Sequence, residues 1–598
     1  MNPPWQLPIP SLRRELAVLL ALALVGAGLR AWNLGRLGLN HFDEGIYAFA
    51  GLWAISPHGL ADLDPGLIPY APPGFVVLVG LMDSLLGVSD MAAILVSILM
   101  GSATIVVVGM IGRRVFGAGG GIPAAAIAAF SGPHITFSRM ALCDVSFLFF
   151  WLVAIWQELR FLERPSGLRA VSLGVAVGLA QLFKYSGWIA GLIVIATAAL
   201  QMAIARDWSR DRLARVWGWG LVAAAIALLV YAPWILFVEN HGGYAALLAH
   251  QRGYTGGIGS WFAHFGAQIG QESSLCGGPI LPYIASFACV AGFFWAGKGF
   301  PSRWLDLIAM IQLLAVANLY TYVGASGWIM VAGLLSVPLF LPAEPLARRI
   351  LRPTAPLVVG WITLSILTPF YRPYARLWLP LEAFGWLVLG GMVLAFWRTL
   401  VETLVAELAA KDNPPASPRP WAMISPDSRM SPRWRAILVP LTCLVLIPAL
   451  SMIRRSDSGS VIGPADSLRT ACAEAVRFLP RDPSRVVILA RPSALFYLSM
   501  AGVPLDRQGD LAGFSRGADG RSWGIIDAVQ LRQEGIASLP DKRLGDGWTV
   551  ERVVPSDMTL ATLFDVDPAA ARSPGTGTAV DASAPLYLLK PRAPGTPR

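Results

Sequence analysis

Three short charged motifs interrupt otherwise apolar sequence and could carry chemistry. The pair Asp43-Glu44 lies in HFDEGIYAFAG. Asp144 lies in SRMALCDVSFLFFW, close to Arg139, and Lys184 lies in GLAQLFKYSGWIAG. A carboxylate can accept the proton of a hydroxyl group, whereas lysine or arginine can hold a phosphate. These residue types suit a reaction between a hydroxyl and a lipid-linked phosphate, provided that they meet on one face of a membrane.

Each motif also has a purely structural interpretation. A carboxylate pair at a membrane interface costs little, so Asp43-Glu44 also fits a solvated loop. Lys184 could extend its ammonium group along apolar surface into water. Acidic residues at the edge of a membrane span are nevertheless rare and are functional candidates by default. We therefore predict Asp43, Glu44 and Asp144 as catalytic residues, with Lys184 and Arg139 as substrate-binding cations.

The composition indicates a membrane protein. The chain has 598 residues, of which 55% are hydrophobic and 14% are charged, and its mean hydropathy is +0.57. A typical soluble protein has about 25% charged residues, so this balance points to a bilayer as solvent. The basic residues lie in short clusters between apolar runs, which is the pattern of topology signals and not of nucleic-acid binding. Five widely spaced cysteines exclude a disulfide scaffold and give no zinc motif.

Apolar runs long enough to cross a bilayer recur as far as residue 453. The predicted thirteen spans are 14–31, 91–111, 121–137, 145–162, 168–183, 187–205, 216–238, 279–297, 304–323, 327–343, 355–370, 378–397 and 436–453. The first is predicted as an uncleaved span because no A-x-A cleavage site follows it. With the N-terminus in the cytoplasm, inner loops and span ends carry 22 Lys and Arg against 9 outside, which satisfies the positive-inside rule.

The spans divide the chain into two predicted domains, a transmembrane domain at 1–455 and a soluble extracytoplasmic α/β domain with a flexible tail at 456–598. The transmembrane domain has a long first outer loop at 32–90. A Gly-, His- and Gln-rich outer loop at 239–278 is predicted as a mobile lid, and a Pro/Ser-rich inner loop at 411–435 as disordered. In the soluble domain the patterns predict strands at 486–490, 548–554 and 586–589 and a helix at 492–501. The stretch Gly74–Leu86 is predicted to lie at the interface or to extend the second span.

Taken in order, HFDEGIYAFAG, SRMALCD and GLAQLFKYSGW resemble the GT-C polytopic glycosyltransferases. More narrowly, they are similar to the protein O-mannosyltransferase and aminoarabinose (lipid A) transferase superfamily. The resemblance covers about residues 10–400 and also includes the placement of the motifs on the outer face. It implies a polytopic α-helical GT-C fold, followed by a small C-terminal extracytoplasmic α/β domain.

The resemblance implies a polyprenyl-phosphate sugar as donor and a single displacement that inverts the anomeric carbon. Asp43 would be the general base, while Lys184 and Arg139 would neutralise the departing phosphate. Glu44 and Asp144 would orient hydroxyl groups or hold these cations. No cofactor is required; a divalent metal ion is possible but not indicated, since the D-x-D at 62–64 does not follow a strand.

One position departs from the family pattern. Such enzymes often place Lys or His directly before a Pro-Pro motif in the first outer loop, but YAPPGF has Ala71 there. Arg376, in YRPYARLWLP, is predicted as the substitute, and an interfacial anchor is its structural alternative. Tyr47 and Tyr70 complete the predicted substrate-binding set.

The predicted function is therefore a glycosyltransferase of the cell (inner) membrane. Its acceptor would be a lipid, a glycan or a protein, and membrane lipids would surround it. Two other functions remain open, a transporter or flippase and a polysaccharide polymerase or ligase. A transporter would need charges near the middle of the bilayer and repeated halves. The candidate charges instead lie at the outer edge of the predicted spans, which favours the transferase.

Overall fold

The computed structural model describes most of the chain. The described residues are 12–55, 71–205, 208–276, 345–387, 390–391, 466–480, 485–517, 522–536, 539, 547–566 and 582–592. Three predicted spans between 279 and 343, the span at 436–453, the inner loop at 411–435 and the tail after residue 592 lie outside them.

Helices make up the first part of the chain. They are α1 (Leu12–Arg30), α2 (Phe42–Ile55), α3 (Gly74–Leu86), α4 (Asp90–Phe116), α5 (Gly121–Phe130), α6 (Gly132–Ser138), α7 (Cys143–Glu163), α8 (Gly167–Phe183), α9 (Ile189–Ala205), α10 (Arg210–Asn240), α11 (Gly243–Arg252), α12 (Trp261–Cys276) and α13 (Pro345–Leu367). Residues 379–387 are also helical. Short 3₁₀ turns cover Tyr185–Trp188 and Ala375–Trp378.

Several helices are apolar enough to cross a membrane. Within the described residues, those of sufficient length are Asp90–Phe116, Cys143–Glu163, Tyr185–Ala203 and Arg210–Asn240. Shorter apolar helices include α3, α5 and α8, and α3 is a separate helix and not an extension of α4. The helical membrane fold is thus present, whereas the predicted count of thirteen spans is not established by the described part of the chain.

Two sequence predictions differ from the observed helices. The span predicted at 121–137 consists of α5 and α6, because Ser131 is extended and a new helix begins at Gly132, with Pro133 in its first turn. The predicted lid at 239–278 contains α11 and α12. The strand-like bridge between Thr255 and Tyr371 then fixes the segment between these two helices against the chain that follows α13.

Small residues allow the membrane helices to approach closely. A side chain in place of the hydrogen of Gly109 would contact Leu19 of α1, and one at Gly101 would contact Ser138. Gly121 lies against the backbone of Gly109. Glycine at such positions lets helix backbones pack together in a bilayer, where the hydrophobic effect between helices is weak. The result is a tight bundle around α4 and α7.

The C-terminal region forms a five-stranded mixed sheet with helices. The strands are β1 (Val486–Leu489), β2 (Leu505–Arg507), β3 (Trp523–Asp527), β4 (Trp548–Val554) and β5 (Leu586–Pro591), in the order β2-β1-β3-β5-β4. The helices are α14 (Ser467–Phe478), α15 (Pro492–Met500), α16 (Leu511–Arg516), α17 (Ala528–Gln533) and α18 (Leu560–Val566). β1 is parallel to β2 and β3, whereas β5 is antiparallel to β3 and β4. All the elements predicted here are present, and β2 and β3 are additional strands.

This C-terminal sheet binds the chain just before α2. At the carboxyl edge of its parallel strands, the Arg491 guanidinium pairs with Asp527 (Nε to Oδ2, 2.7 Å) and donates to the carbonyl oxygen of Asn40 (2.9 Å). Ser493 donates to the carbonyl oxygen of His41. The carboxyl edge of parallel strands is where α/β domains commonly bind ligands. Here it holds a segment of its own chain.

Candidate active site

The start of α2 is anchored by a buried carboxylate. Glu44 Oε2 accepts the backbone N–H groups of Asn40 and His41, both at 2.7 Å, and Oε1 accepts that of Ala141 at 2.8 Å. A carboxylate at a helix N-terminus satisfies donors that have no partner within the helix. Ala141 lies two residues before α7, so Glu44 links the first turn of α2 to the chain that leads into α7. This role differs from the predicted contact with substrate.

That tie brings Asp43 and Asp144 to the same place. Asp43 follows His41 in the first turn of α2, and its backbone N–H donates to Nδ1 of His41 (3.0 Å). Asp144 occupies the first turn of α7. Arg376 lies between the two carboxylates: its Nη1 is 2.7 Å from Oδ2 of Asp43 and 4.0 Å from Oδ2 of Asp144.

Arg376 is positioned by the extended segment that precedes its 3₁₀ turn. Arg372 donates its backbone N–H to the carbonyl oxygen of Tyr254 (2.8 Å), and Gly256 donates to that of Phe370 (2.7 Å). These bonds fix the segment against the loop between α11 and α12. The guanidinium of Arg376 also lies 5.1 Å from the ring centre of Tyr374, a cation–π distance.

Lys184 enters the same cluster from the end of α8. Its ammonium group pairs with Oδ1 of Asp144. Lys184 itself is extended, because α8 ends there and the chain turns back as a 3₁₀ turn. The turn needs glycine at position 187, since a side chain there would meet the backbone of Ala180 and Gln181 at about 2.5 Å. The helix break at Lys184 therefore directs its ammonium group toward Asp144.

A third carboxylate arrives from the C-terminal region. Asp565, in α18, pairs through Oδ2 with Nη2 of Arg376 (3.1 Å) and with Nε2 of His41 (2.7 Å). Neither Asp565 nor His41 is among the site residues predicted from the sequence. The only local signal was that His41 lies two residues before Asp43, because the contact depends on how the C-terminal sheet packs against the membrane helices.

The cluster is closed on most sides and open at Asp43. The side chain of Asp43 is 32% exposed, compared with 3% for Asp144, 12% for Arg376 and 11% for Asp565. Lys184 is intermediate at 23%. Asp43 is thus the carboxylate of this cluster that a bound molecule can reach, whereas Asp144 and Asp565 are enclosed with the cations that they hold.

The electrostatic surroundings keep Asp43 ionised. Burial raises the pKa of Asp43, but the nearby Arg376 and His41 outweigh burial and leave this pKa below its ordinary value. For Arg376, burial lowers the pKa, but Asp565, Asp43 and Asp144 raise it well above the ordinary value. Burial also raises the pKa of Glu44, although its three backbone donors act in the opposite direction. The accessible group is therefore an anion held beside a permanent cation.

Two of the residues predicted to contact substrate, Arg139 and Tyr47, have partners within the protein. The Nη1 group of Arg139 donates to the carbonyl oxygens of Leu29 (3.3 Å), Arg30 (3.0 Å) and Trp32 (2.7 Å), so it caps the C-terminus of α1. A cation at this end of a helix satisfies unpaired carbonyl groups. The hydroxyl of Tyr47 donates to the sulfur of Cys143 at 3.1 Å, and only 6% of Tyr47 is exposed. Tyr70 lies outside the described residues.

Among the residues that the structure describes, no group of three or more His, Cys, Asp and Glu side chains is arranged to hold a metal ion. The D-x-D at 62–64 lies outside them. Lysine and arginine, which bind anions, are the cationic groups of the described site.

Comparison with known proteins supports a glycosyltransferase class. The family model for dolichyl-phosphate-mannose-protein mannosyltransferase matches residues 70–237. The crystal structure of ArnT from Cupriavidus metallidurans bound to undecaprenyl phosphate aligns with a TM-score of 0.54 and 14% identity, over 97% of this chain and 98% of that chain. At this identity the structural match shows the fold alone. A comparison with curated protein sequences finds no match.

Two further structures align with lower TM-scores. The apo structure of the same ArnT has a TM-score of 0.49 and 16% identity, over 86% of this chain and 94% of that chain. The Archaeoglobus fulgidus oligosaccharyltransferase has a TM-score of 0.46 and 14% identity, over 94% of this chain and 73% of that chain. The family match over residues 70–237 and the shared fold confirm the resemblance to GT-C glycosyltransferases that the motifs predict.

Proposed function

We propose that this chain transfers a sugar from a polyprenyl-phosphate donor to a hydroxyl or phosphate group of an acceptor on the extracytoplasmic face of the cell membrane. The observation that carries the proposal is the geometry around Asp43. An accessible carboxylate lies 2.7 Å from the Arg376 guanidinium, beside the Asp144–Lys184 pair. The ArnT structure contains undecaprenyl phosphate, which supports a lipid phosphate as the donor's leaving group.

The reaction on a hydroxyl acceptor is a single displacement. The acceptor oxygen forms a bond to the anomeric carbon while the bond from that carbon to the phosphate oxygen breaks. Asp43 accepts the hydroxyl proton, and the polyprenyl phosphate leaves with the electron pair. Arg376 and Lys184 stabilise the phosphate as its charge grows. Attack from the face opposite the phosphate inverts the anomeric configuration.

Asp43 is a weak base for an alcohol at its lowered pKa. The reaction does not require a strong one if the proton moves late, after the anomeric carbon has begun to draw electrons from the acceptor oxygen. Positioning of the two substrates and charge stabilisation by the cations then supply most of the rate enhancement.

The test is an in vitro assay of the purified protein with polyprenyl-phosphate sugars. Asp43→Asn is expected to lower kcat by about 10²- to 10⁴-fold, the usual contribution of a general base. Lys184→Ala is expected to lower kcat/KM for the donor. The matched control is Asp211→Asn, which removes a carboxylate charge in the first turn of α10, outside the site. This variant should transfer sugar at the normal rate.

The alternatives give different results in the same assay. Undiminished transfer by folded Asp43→Asn protein would overturn the assignment of the base. Movement of a lipid-linked substrate across vesicles without sugar transfer would favour a flippase. Chain elongation of a glycan product would favour a polymerase.

A further inference from the structure

We infer that Asp565 is a positioning residue, supplied by the C-terminal region, that sets where the Arg376 guanidinium lies in the active site. The inference rests on the proposed function, since it assigns Asp565 a part in the same reaction. It makes the C-terminal α/β region a component of the site.

Asp43 and Asp565 share one cation, the Arg376 guanidinium. Arg376 contacts Asp43 with Nη1 and Asp565 with Nη2, at 2.7 and 3.1 Å. A guanidinium is planar and rigid, so a carboxylate that binds one nitrogen also fixes the direction of the other. Asp565 thereby aims Nη1 at the space between Asp43 and Asp144, where the donor phosphate would lie.

Asp565 is itself held in place by His41. Its Oδ2 pairs with Nε2 of His41 at 2.7 Å. Nδ1 of His41 accepts the backbone N–H of Asp43, so the Nε2–H of the ring points at Asp565. His41 therefore links the carboxylate that holds Arg376 to the backbone of the proposed base.

Hydrogen bonds and apolar packing also hold α18 in place. The backbone N–H of Thr559, just before α18, donates to Oδ1 of Asn40 at 3.2 Å, and Nδ2 of Asn40 donates to the carbonyl oxygen of Asp557 at 3.0 Å. Phe564, next to Asp565, is 1% exposed and belongs to the same apolar core as the membrane helices. A side chain on such a fixed helix can position a catalytic group, whereas one on a loose surface loop cannot.

A double-mutant cycle with Asp565→Asn and Arg376→Gln tests the inference. We expect Asp565→Asn to lower kcat/KM for the polyprenyl-phosphate sugar by about tenfold in the wild-type background, and to have little further effect in the Arg376→Gln protein, because residues that act through one contact are not additive. Asp565→Glu should restore part of the lost activity. The matched control is Asp506→Asn, which breaks an exposed pair with Arg485 in the same region and should leave kcat/KM unchanged.

The same cycle is measured by thermal unfolding in detergent. If the wild type transfers no sugar but the two substitutions change Tm non-additively, the proposed function is refuted while the contact between Asp565 and Arg376 is supported. Equal losses of kcat/KM from Asp565→Asn in both backgrounds, or no loss at all in the wild-type background, would overturn the positioning role.

Discussion

At the scale of single residues, Arg376 controls the proton affinity of Asp43. Burial raises the pKa of this carboxyl, and the adjacent guanidinium is the main influence that lowers it. Above its unfolded-state pKa, a carboxyl whose folded-state pKa is lowered is ionised and contributes fully to the stability of the folded state. That contribution is lost as the pH falls through the folded-state pKa. The acid limb of kcat/KM should therefore lie below the ordinary range of an aspartate.

Arg376→Gln should move that acid limb to higher pH. Without the guanidinium, burial still raises the pKa of Asp43, so protonation of the base begins at a less acidic pH. The measurement is the pH dependence of kcat/KM, which is read independently of the lower overall rate. Arg372→Gln is the control, because its guanidinium lies over the Tyr254 ring at 5.3 Å and its loss should leave the acid limb in place. An unshifted limb in Arg376→Gln would show that Asp43 is not the titrating base.

At the scale of elements, the contact between α2 and α15 aligns the site. A side chain on Gly45 would lie about 2.1 Å from the backbone nitrogen of Ser493 and 2.2 Å from the carbonyl carbon of Pro492. Backbone atoms cannot move aside as a flexible side chain can. Gly45 lies two residues after Asp43 in α2, and on the other side the contact borders the buried Arg491–Asp527 pair. Glycine at this position is therefore required for the C-terminal sheet to reach the active site.

Gly45→Ala should separate α2 from α15 and weaken the site as a whole. We expect a destabilisation of about 1–3 kcal/mol, the usual cost of forcing extra volume into a packed contact, and a loss of transfer activity. Gly28→Ala, in α1, is the control because a methyl group there meets no atom within 4 Å. The readouts are Tm in detergent and kcat/KM. Normal values of both for Gly45→Ala would mean that the two helices are not in this close contact.

At the scale of the whole molecule, the sequence predicted elements and local motifs better than contacts between distant segments. Asp43, Asp144 and Lys184 are predicted because each interrupts apolar sequence on the same predicted face, and Arg376 is predicted from the family resemblance. The structure brings all four together. Apolar runs likewise predict most of the described membrane helices. These features depend on local sequence and on a bilayer that aligns helix ends.

The remaining contacts depend on tertiary packing that no local pattern reports. Asp565 looks like any acidic residue of a soluble region until α18 packs beside Arg376. Arg139 lies on the predicted face and has the right charge for a phosphate, but three helix-end carbonyl groups lie within its reach. Only interatomic distances separate these two roles of an arginine.

The link between Asp565 and Arg376 also constrains the topology of the chain. If Asp43 acts on the extracytoplasmic face, the C-terminal region must lie on that face too. A cysteine at exposed position 552, in β4, should then react with a membrane-impermeant maleimide in intact cells. A cysteine at position 210, at the predicted cytoplasmic start of α10, should react only after permeabilisation. Both substitutions, Arg552→Cys and Arg210→Cys, are made in protein without its five native cysteines. Labelling in the reverse order would place the site on the cytoplasmic face, where it would meet a different pool of lipid-linked sugars.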